Sequence, residues 1–237
     1  MLRLFCLPYS GASAMLYARW KRQLPTWIDV CPVELPGRGR RFAESLQTDL
    51  RALAGQLADE LAVHLDRPYA LFGHSLGGLL VFELAHALRE RGLPLPQALF
   101  ASAASAPARR DGHRELAQEQ SDEQLIERMR QLGGTAEAVF DDPDMLALTL
   151  PVMRADFLLC GLYDYCSRPP LTCPIHVFGG KADRLSVDSL SAWQDETSAS
   201  FSLEMLDGGH FFLNSAEARL LELLRARLRQ PASAALA

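Results

Sequence analysis

The sequence has no hydrophobic run long enough to span a membrane, which argues against an integral membrane protein. The apolar start from Leu2 to Leu7 is short and is followed by Pro8, so it predicts a strand rather than a signal peptide. An excess of positive charge is also missing. The formal net charge of −5 argues against nucleic acid as a partner.

Paired cysteines and clustered metal ligands are missing as well. The five cysteines are scattered, odd in number and without a C-x-x-C pair, which predicts reduced thiols in a cytoplasmic protein. None of the six histidines has a partner at metal-ligand spacing, so we expect no metal site.

What is present fits a single α/β domain. The 237 residues, 49% hydrophobic and 22% charged, are enough for one substantial core. Strand-like and helix-like segments alternate, so residues 1–230 are expected to form a mostly parallel sheet flanked by helices. The Ala-rich end at 231–237 is expected to be a disordered tail. Strands are predicted at 2–7, 28–34, 69–72, 98–102, 175–178 and 201–205, and helices at 14–24 and 50–65.

The pattern Gly-x-Ser-x-Gly occupies Gly73 to Gly77, between the strand-like run at 69–72 and an apolar helix-like run at 79–85. Such a turn between a strand and a helix is the nucleophile elbow of the α/β-hydrolase fold. A Cβ at either glycine would collide across the turn. Ser75 is therefore predicted to be a nucleophile held at a strained backbone angle, and a plain glycine-rich turn is the alternative.

The general base is predicted to be His210. In this fold the acid follows the serine and the histidine comes last. His210 is the histidine that lies late in the chain and in a loop, directly after the strand-like run at 201–205. His74 is expected to pack or cap locally, and His86 to be a surface or half-buried helix residue.

The orienting acid is predicted to be Asp183, which follows the strand beginning near Ile175. Ligands of open α/β sheets bind at the carboxyl ends of the strands, so its carboxylate is placed to accept the ring N–H of His210. Asp207 and Asp188 are rivals, and a solvated loop aspartate is the alternative.

Two backbone N–H groups are predicted to form an oxyanion hole. One belongs to Leu76, the residue after the nucleophile, and the other to Ser10 in the loop after the first strand. Ser13 is expected to cap the helix at 14–24.

The segment at 107–168 has helix-like pieces around 122–132 and 144–159 and no clear strand. An insertion between two strands at this point would lie over the carboxyl edge of the sheet. It is predicted to be a helical lid that excludes water, and an ordinary helical decoration is the alternative.

Several motifs together resemble the stand-alone type II thioesterases of nonribosomal peptide and polyketide synthesis. The resemblance spans nearly the whole chain, and the motifs keep their order. It departs at Ser10-Gly11-Ala12, where the family often has Ala-Gly-Gly. The matching pieces are Leu7 to Ser13, Leu35 to Arg41, Phe72 to Gly78, Leu150 to Phe157, Cys173 to Ile175, Phe178 to Gly180 with Asp183, and Gly208 to Phe212.

The resemblance implies an editing enzyme that hydrolyses aberrant or misprimed acyl thioesters on the phosphopantetheine arm of carrier domains. Ser75 is then nucleophile, Asp183 orients, His210 is base, and Leu76 and Ser10 form the oxyanion hole. We expect an acyl-serine intermediate and a cytoplasmic monomer. We expect no cofactor, because the substrate is carried on the phosphopantetheine of the partner protein. A general carboxylester hydrolase and a non-enzymatic binding protein on the same scaffold are the alternatives.

Three arginines, Arg38, Arg40 and Arg41, cluster in one predicted loop. The favoured interpretation is a solvated basic loop, because charge clusters are common on soluble domains. The alternative is a docking surface for an acidic carrier domain or its pantetheine phosphate.

Overall fold

The carboxyl ends of six parallel strands form the edge on which the site is built. A computed structural model describes residues 1–110 and 113–229, and within them the chain forms one sheet in the order β2-β1-β3-β4-β5-β6. Every neighbouring pair is parallel, so the predicted α/β class is confirmed. The predicted tail at 231–237 lies outside the described residues. The strands are β1 (Leu2–Leu7), β2 (Ile28–Pro32), β3 (Tyr69–His74), β4 (Leu99–Ser102), β5 (Ile175–Gly180) and β6 (Phe201–Leu206).

Both faces of the sheet are covered, so its central strands β3, β4 and β5 are buried along their whole length. Along β1, Phe5 and Leu7 face one core, while Leu4 and Cys6 face the other. This alternation follows from the two-residue period of a strand. The first core lies under helices α2 and α3, and the second under α1 and α9. The helices are α1 (Trp20–Gln23), α2 (Leu50–Leu61), α3 (Leu76–Glu90), α4 (Asp122–Leu132), α5 (Glu137–Phe140), α6 (Pro143–Gly161), α7 (Val187–Ser191), α8 (Phe212–Ser215) and α9 (Glu217–Arg229).

A crevice forms where the strand order reverses. The chain leaves β1 toward β2 on one side and leaves β3 toward β4 on the other, although β1 and β3 are neighbours. The loops after these two strands therefore diverge and leave an opening at the carboxyl edge, as ligand sites of open α/β sheets require.

The predicted helix at 14–24 is wrong as a continuous helix. The structure has a 3-10 turn at Ala14–Tyr17 and then the short α1. Tyr17 and Trp20 are buried three residues apart, with ring centroids 4.8 Å from each other, and both pack on Phe72. Ala18 and Arg19, which lie between these two rings, form a turn that is not α-helical, and this turn interrupts the helix. Ser13 caps the turn as predicted by accepting the Met15 N–H.

The segment between β4 and β5 is largely helical in its described part up to Gly161, and residues 162–174 contain no helix. It contains 3-10 turns at Pro107–Arg109 and His113–Ala117, followed by α4, α5 and α6. Helix α4 begins at a capping box formed by Ser121 and Gln124. Helices α4 and α6 share a small apolar cluster that includes Met129, Met153 and Phe157. Within the described residues, every helix is too short or too polar to cross a bilayer.

Candidate active site

The elbow is a strained turn with no space for side chains at its glycines. Ser75 has φ 55° and ψ −114°, a backbone conformation that non-glycine residues rarely adopt. A Cβ on Gly73 would lie 1.9 Å from the Gly77 carbonyl oxygen, and a Cβ on Gly77 would lie 2.3 Å from the Leu7 oxygen. The glycines therefore let α3 start directly above β3 and against the end of β1, which leaves the Ser75 hydroxyl at the cleft.

The structure brings Ser75, His210 and Asp183 together in one hydrogen-bonded row. His210 Nδ1 lies 2.9 Å from Asp183 Oδ2, and His210 Nε2 lies 3.0 Å from Ser75 Oγ. Because a carboxylate can only accept, Nδ1 carries the proton and Nε2 is free to accept the Ser75 hydroxyl proton. The ring is therefore held in the tautomer that a general base needs. The rival Asp207 instead pairs with Lys181 on the surface, and Asp188 lies in α7.

The carboxyl group of Asp183 is held in its charged form. Burial on its own raises its pKa. The hydrogen bond and charge of His210 and the backbone N–H groups of Arg184 and Leu185 together lower the pKa by more than burial raises it. The net pKa lies below the ordinary value for aspartate. Only 5% of the Asp183 side chain is exposed, against 27% for His210. The carboxylate therefore acts on the imidazole from a sheltered position, while the imidazole faces the cleft.

The two predicted oxyanion donors both border the same cleft as Ser75. The backbone N–H groups of Ser10 and Leu76 donate no hydrogen bond to any other described residue. Leu76 is also the first residue of α3, whose N-terminal dipole favours negative charge. Both N–H groups are thus free to donate hydrogen bonds to the oxygen of a substrate carbonyl.

A cleft of about 400 Å³ opens above Ser75, a volume typical of a small-molecule site. The sheet edge supplies one wall, and α4 and α6 supply the other, largely with apolar side chains. Residues of the helical segment thus line the cleft opposite the sheet edge. Apolar lining residues are Leu116, Met129, Leu132, Met153, Phe157, Leu185 and Phe211.

The family model for a thioesterase domain matches residues 2–228. The chain belongs to the thioesterase family. The gramicidin S biosynthesis protein GrsT of Aneurinibacillus migulanus is 40% identical to it over 233 residues, which cover 96% of this chain and 89% of that protein.

Solved structures extend this similarity to the whole fold. RedJ, a thioesterase from the prodiginine pathway of Streptomyces coelicolor, aligns with a TM-score of 0.88 at 40% identity, covering 95% of this chain and 89% of that one. BorB, a type II thioesterase from the borrelidin biosynthetic cluster, aligns with a TM-score of 0.86 at 38% identity, covering 96% and 93%. The resemblance to type II thioesterases, the α/β-hydrolase fold and the assignment to serine hydrolases acting on thioesters are thereby confirmed.

The arginine cluster of this thioesterase is not a solvated basic loop. Arg38 is buried and makes a bidentate ion pair with Asp156 of α6, at 2.6 Å for each bond. Arg41 binds the carboxylates of Glu44 and Glu60. Arg40 is exposed. The favoured interpretation is therefore wrong for Arg38, and so is its docking alternative, because a guanidinium committed to a buried carboxylate cannot meet a carrier domain.

His74 has a part in the site that its sequence context does not reveal. Its Nε2–H donates to the His210 backbone oxygen at 2.9 Å, and its Nδ1 accepts from Ser102 Oγ at 2.9 Å. Ser102 also accepts the Ser75 N–H through its backbone oxygen, at 2.7 Å. Burial, with the charge of His210 as a smaller cause, lowers the pKa of His74 to about 3, which keeps its ring neutral. His74 therefore joins the backbones of the serine and the histidine.

No group of three or more His, Cys, Asp or Glu side chains in the described part of the enzyme is arranged to hold a metal ion. The triad supplies a nucleophile and a base by itself, so the geometry is sufficient for acyl transfer through a covalent intermediate.

Proposed function

We propose that this enzyme removes aberrant or misprimed acyl groups from the phosphopantetheine arm of carrier domains in a nonribosomal peptide or polyketide assembly line. The observation that carries the proposal is the row of Ser75, His210 and Asp183 beneath a cleft, in a chain whose residues 2–228 match the thioesterase family. The biosynthetic settings in the names of GrsT, RedJ and BorB support the carrier-domain partner.

Acylation begins when Ser75 Oγ attacks the thioester carbonyl carbon and its proton passes to His210 Nε2. The carbonyl oxygen becomes an oxyanion that accepts hydrogen bonds from the N–H groups of Leu76 and Ser10. The C–S bond then breaks, the acyl group stays on Ser75, and the sulfur takes the proton from His210 and leaves as a thiol, so that His210 is neutral again. Because a thiolate leaves more easily than an alkoxide, this half of the reaction is the easier one.

Deacylation repeats the same chemistry with water. His210 takes a proton from a water molecule, which attacks the acyl-Ser75 carbonyl, and the same two donors hold the second oxyanion. The proton returns to Ser75 Oγ as the acid leaves. Asp183 remains ionised throughout and stabilises the imidazolium that forms in each half.

The segment containing α4 and α6 is proposed to be the lid of this site. Its support is its position, since it forms one wall of the cleft opposite the sheet edge. A cover over Ser75 limits water around the acyl-enzyme and strengthens the oxyanion hydrogen bonds.

A cytoplasmic monomer without a cofactor completes the proposal. The five unpaired cysteines suit a reducing compartment. All groups of the proposed reaction come from one chain, and the substrate brings its own phosphopantetheine arm.

The test compares hydrolysis of an acetyl-phosphopantetheinyl carrier domain, acetyl-CoA and an aryl ester by the wild-type enzyme, with Ser75→Ala as control. We expect a clearly higher kcat/KM for the carrier substrate, and loss of all three activities in the control. Efficient aryl ester hydrolysis with negligible carrier hydrolysis would instead identify a general carboxylester hydrolase. Failure of an active-site serine probe to label Ser75, together with absence of all three activities, would favour a non-enzymatic scaffold.

A further inference from the structure

Helix α6 places one buried carboxylate directly on the loop that carries the Ser10 N–H. The side chain of Asp156 has no exposed surface, and its Oδ2 accepts the Gly11 N–H at 2.8 Å. Arg38 holds both oxygens of this carboxylate, and its Nη1 also donates to the Ala12 carbonyl at 3.4 Å. The ion pair therefore binds two successive residues of the loop, Gly11 through its N–H and Ala12 through its carbonyl oxygen.

Gly11 and Ala12 belong to a tight turn that begins at Tyr9. The Ala12 N–H donates to the Tyr9 oxygen at 3.0 Å, and Gly11 has φ +79°, which defines a type II turn with Ser10 and Gly11 at its centre. In such a turn the Ser10–Gly11 peptide can flip over to give the type I form. The Gly11 N–H that Asp156 accepts belongs to this same peptide, so the carboxylate fixes which way the peptide faces.

Only two backbone bonds of Ser10 separate this fixed peptide from the Ser10 N–H. We propose that Asp156, held by Arg38, is a positioning residue that aims the Ser10 N–H at the substrate oxyanion. This inference rests on the proposed function and deepens it, because it names the residue that holds one of the two oxyanion donors in position. Asp156 does not touch the substrate and acts through the turn.

Its buried charge is better explained by geometry than by stability. Taking two ions out of water offsets most of their attraction, and apolar replacements of buried ion pairs are often neutral or stabilising. A carboxylate with three short hydrogen bonds is, however, a rigid and directional anchor. Helix α6 also leaves no space for a side chain at Gly11. A Cβ there would lie 2.6 Å from the methyl carbon of Met153, which is one turn before Asp156 on the same helix.

The experiment measures kcat, KM and inhibitor affinity for Asp156→Asn and for the pair Asp156→Asn with Arg38→Gln. The single variant keeps the shape of the side chain and leaves Arg38 buried without its counter-ion. The paired variant removes both charges. An aryl ester and acetyl-CoA serve as substrates, so the comparison of variants with wild type does not depend on recognition of a carrier domain. If the enzyme does not act on carrier domains, this would appear separately, as a low wild-type rate with the carrier substrate.

We expect Asp156→Asn to lower kcat by about 10- to 100-fold with KM changed less than about twofold, because an oxyanion donor acts mainly in the transition state. A trifluoromethyl ketone, whose carbonyl carbon bonds to Ser75 Oγ to form an oxyanion, should lose affinity by the same factor. A non-hydrolysable thioether analogue should bind as it does to wild type. In the paired variant part of the lost Tm should return, while kcat stays low.

Glu83→Gln is the matched control. Glu83 is also a buried carboxylate paired to an arginine, Arg168, at 2.5 Å, and it does not line the cleft of Ser75. It should lower Tm with kcat unchanged. The inference is overturned if kcat of the paired variant recovers together with Tm, if the loss in Asp156→Asn lies in KM, or if the ketone binds all variants equally.

Discussion

The loops at the carboxyl edge of the sheet and helix α6 meet at one cleft, but they contribute to it in different ways. The sheet loops carry the side chains and N–H groups that face the reacting atoms, namely Ser75, Asp183, His210 and the two oxyanion donors. Helix α6 carries a carboxylate that stays buried behind the Ser10 loop. The comparison shows two kinds of contribution. The reacting groups lie on short turns that place them at the cleft, whereas the Asp156 carboxylate only has to stay within hydrogen-bond distance of one of those turns.

The largest effect should come from the reacting groups of the sheet edge. We expect His210→Ala to lower kcat by about 10⁶-fold and Asp183→Asn by about 10⁴-fold, because the second variant keeps a base but favours the wrong tautomer. Combining His210→Ala with Ser75→Ala should add almost nothing, since the two act as one unit. Steady-state kinetics with acetyl-CoA measures this. Additive losses would contradict the hydrogen-bonded row.

The backbone of the elbow should be the next most sensitive feature. Gly77→Ala places a methyl group 2.3 Å from the Leu7 oxygen, so we expect it to lower the free energy of unfolding by about 2–4 kcal/mol. Gly92→Ala is the matched control: it has φ +65° but nothing within 4 Å of the added carbon, and should cost about 1 kcal/mol. Chemical denaturation compares the two. Equal losses would show that the close approach of α3 to β1 is not needed.

Per residue and pH unit, the smallest effect is a dependence of stability on pH that arises from three buried histidines, one of which adjoins the site. Burial is the main cause that lowers the pKa of His74 and His86 to about 3 and of His176 to about 4, with nearby charges adding to it. The unfolded chain binds protons below about pH 6.5 that the folded chain excludes, so stability is lost as pH falls from 6.5 toward 4. Each histidine contributes at most about 1.4 kcal/mol per pH unit.

A matched variant separates these histidines from other acid effects. His176→Asn removes one of the three contributions without touching the cleft, so the slope of unfolding free energy against pH between 5 and 6.5 should fall by about a third, by the same linkage. The kcat at pH 7.5 should stay as in wild type. An unfolding free energy that is flat from pH 7 to pH 5 in the wild-type protein would contradict the burial of these rings.

The same contrast explains what could be predicted from the sequence. Gly73 and Gly77 leave a local pattern because no side chain fits beside the strained serine, and the fixed order of the fold then points to Asp183 and His210. The bonds from Asp156 to Gly11 and Arg38 join residues 145 and 118 positions apart and follow no local rule. A basic loop motif cannot reveal that one of its arginines is neutralised by a distant helix.

Two further differences have the same origin in tertiary packing. The sequence predicts a surface or half-buried His86, yet this residue is 1% exposed, because its ring packs against Phe82 and lies close to Arg168 of the segment before β5. The helix predicted at 14–24 is broken because Tyr17 and Trp20 pack on Phe72. In both cases helical periodicity was present, but the neighbouring elements decided burial and winding.

The most direct test of the account is to map the covalent adduct of an alkyl phosphonate serine probe by peptide mass spectrometry while following hydrolysis of an acetyl-loaded carrier domain. We predict one adduct per chain, on Ser75, with carrier hydrolysis lost in proportion to labelling and no labelling in Ser75→Ala. Hydrolysis that continues when Ser75 is fully modified, or an adduct on another residue, would contradict the assignment of Ser75 as the nucleophile.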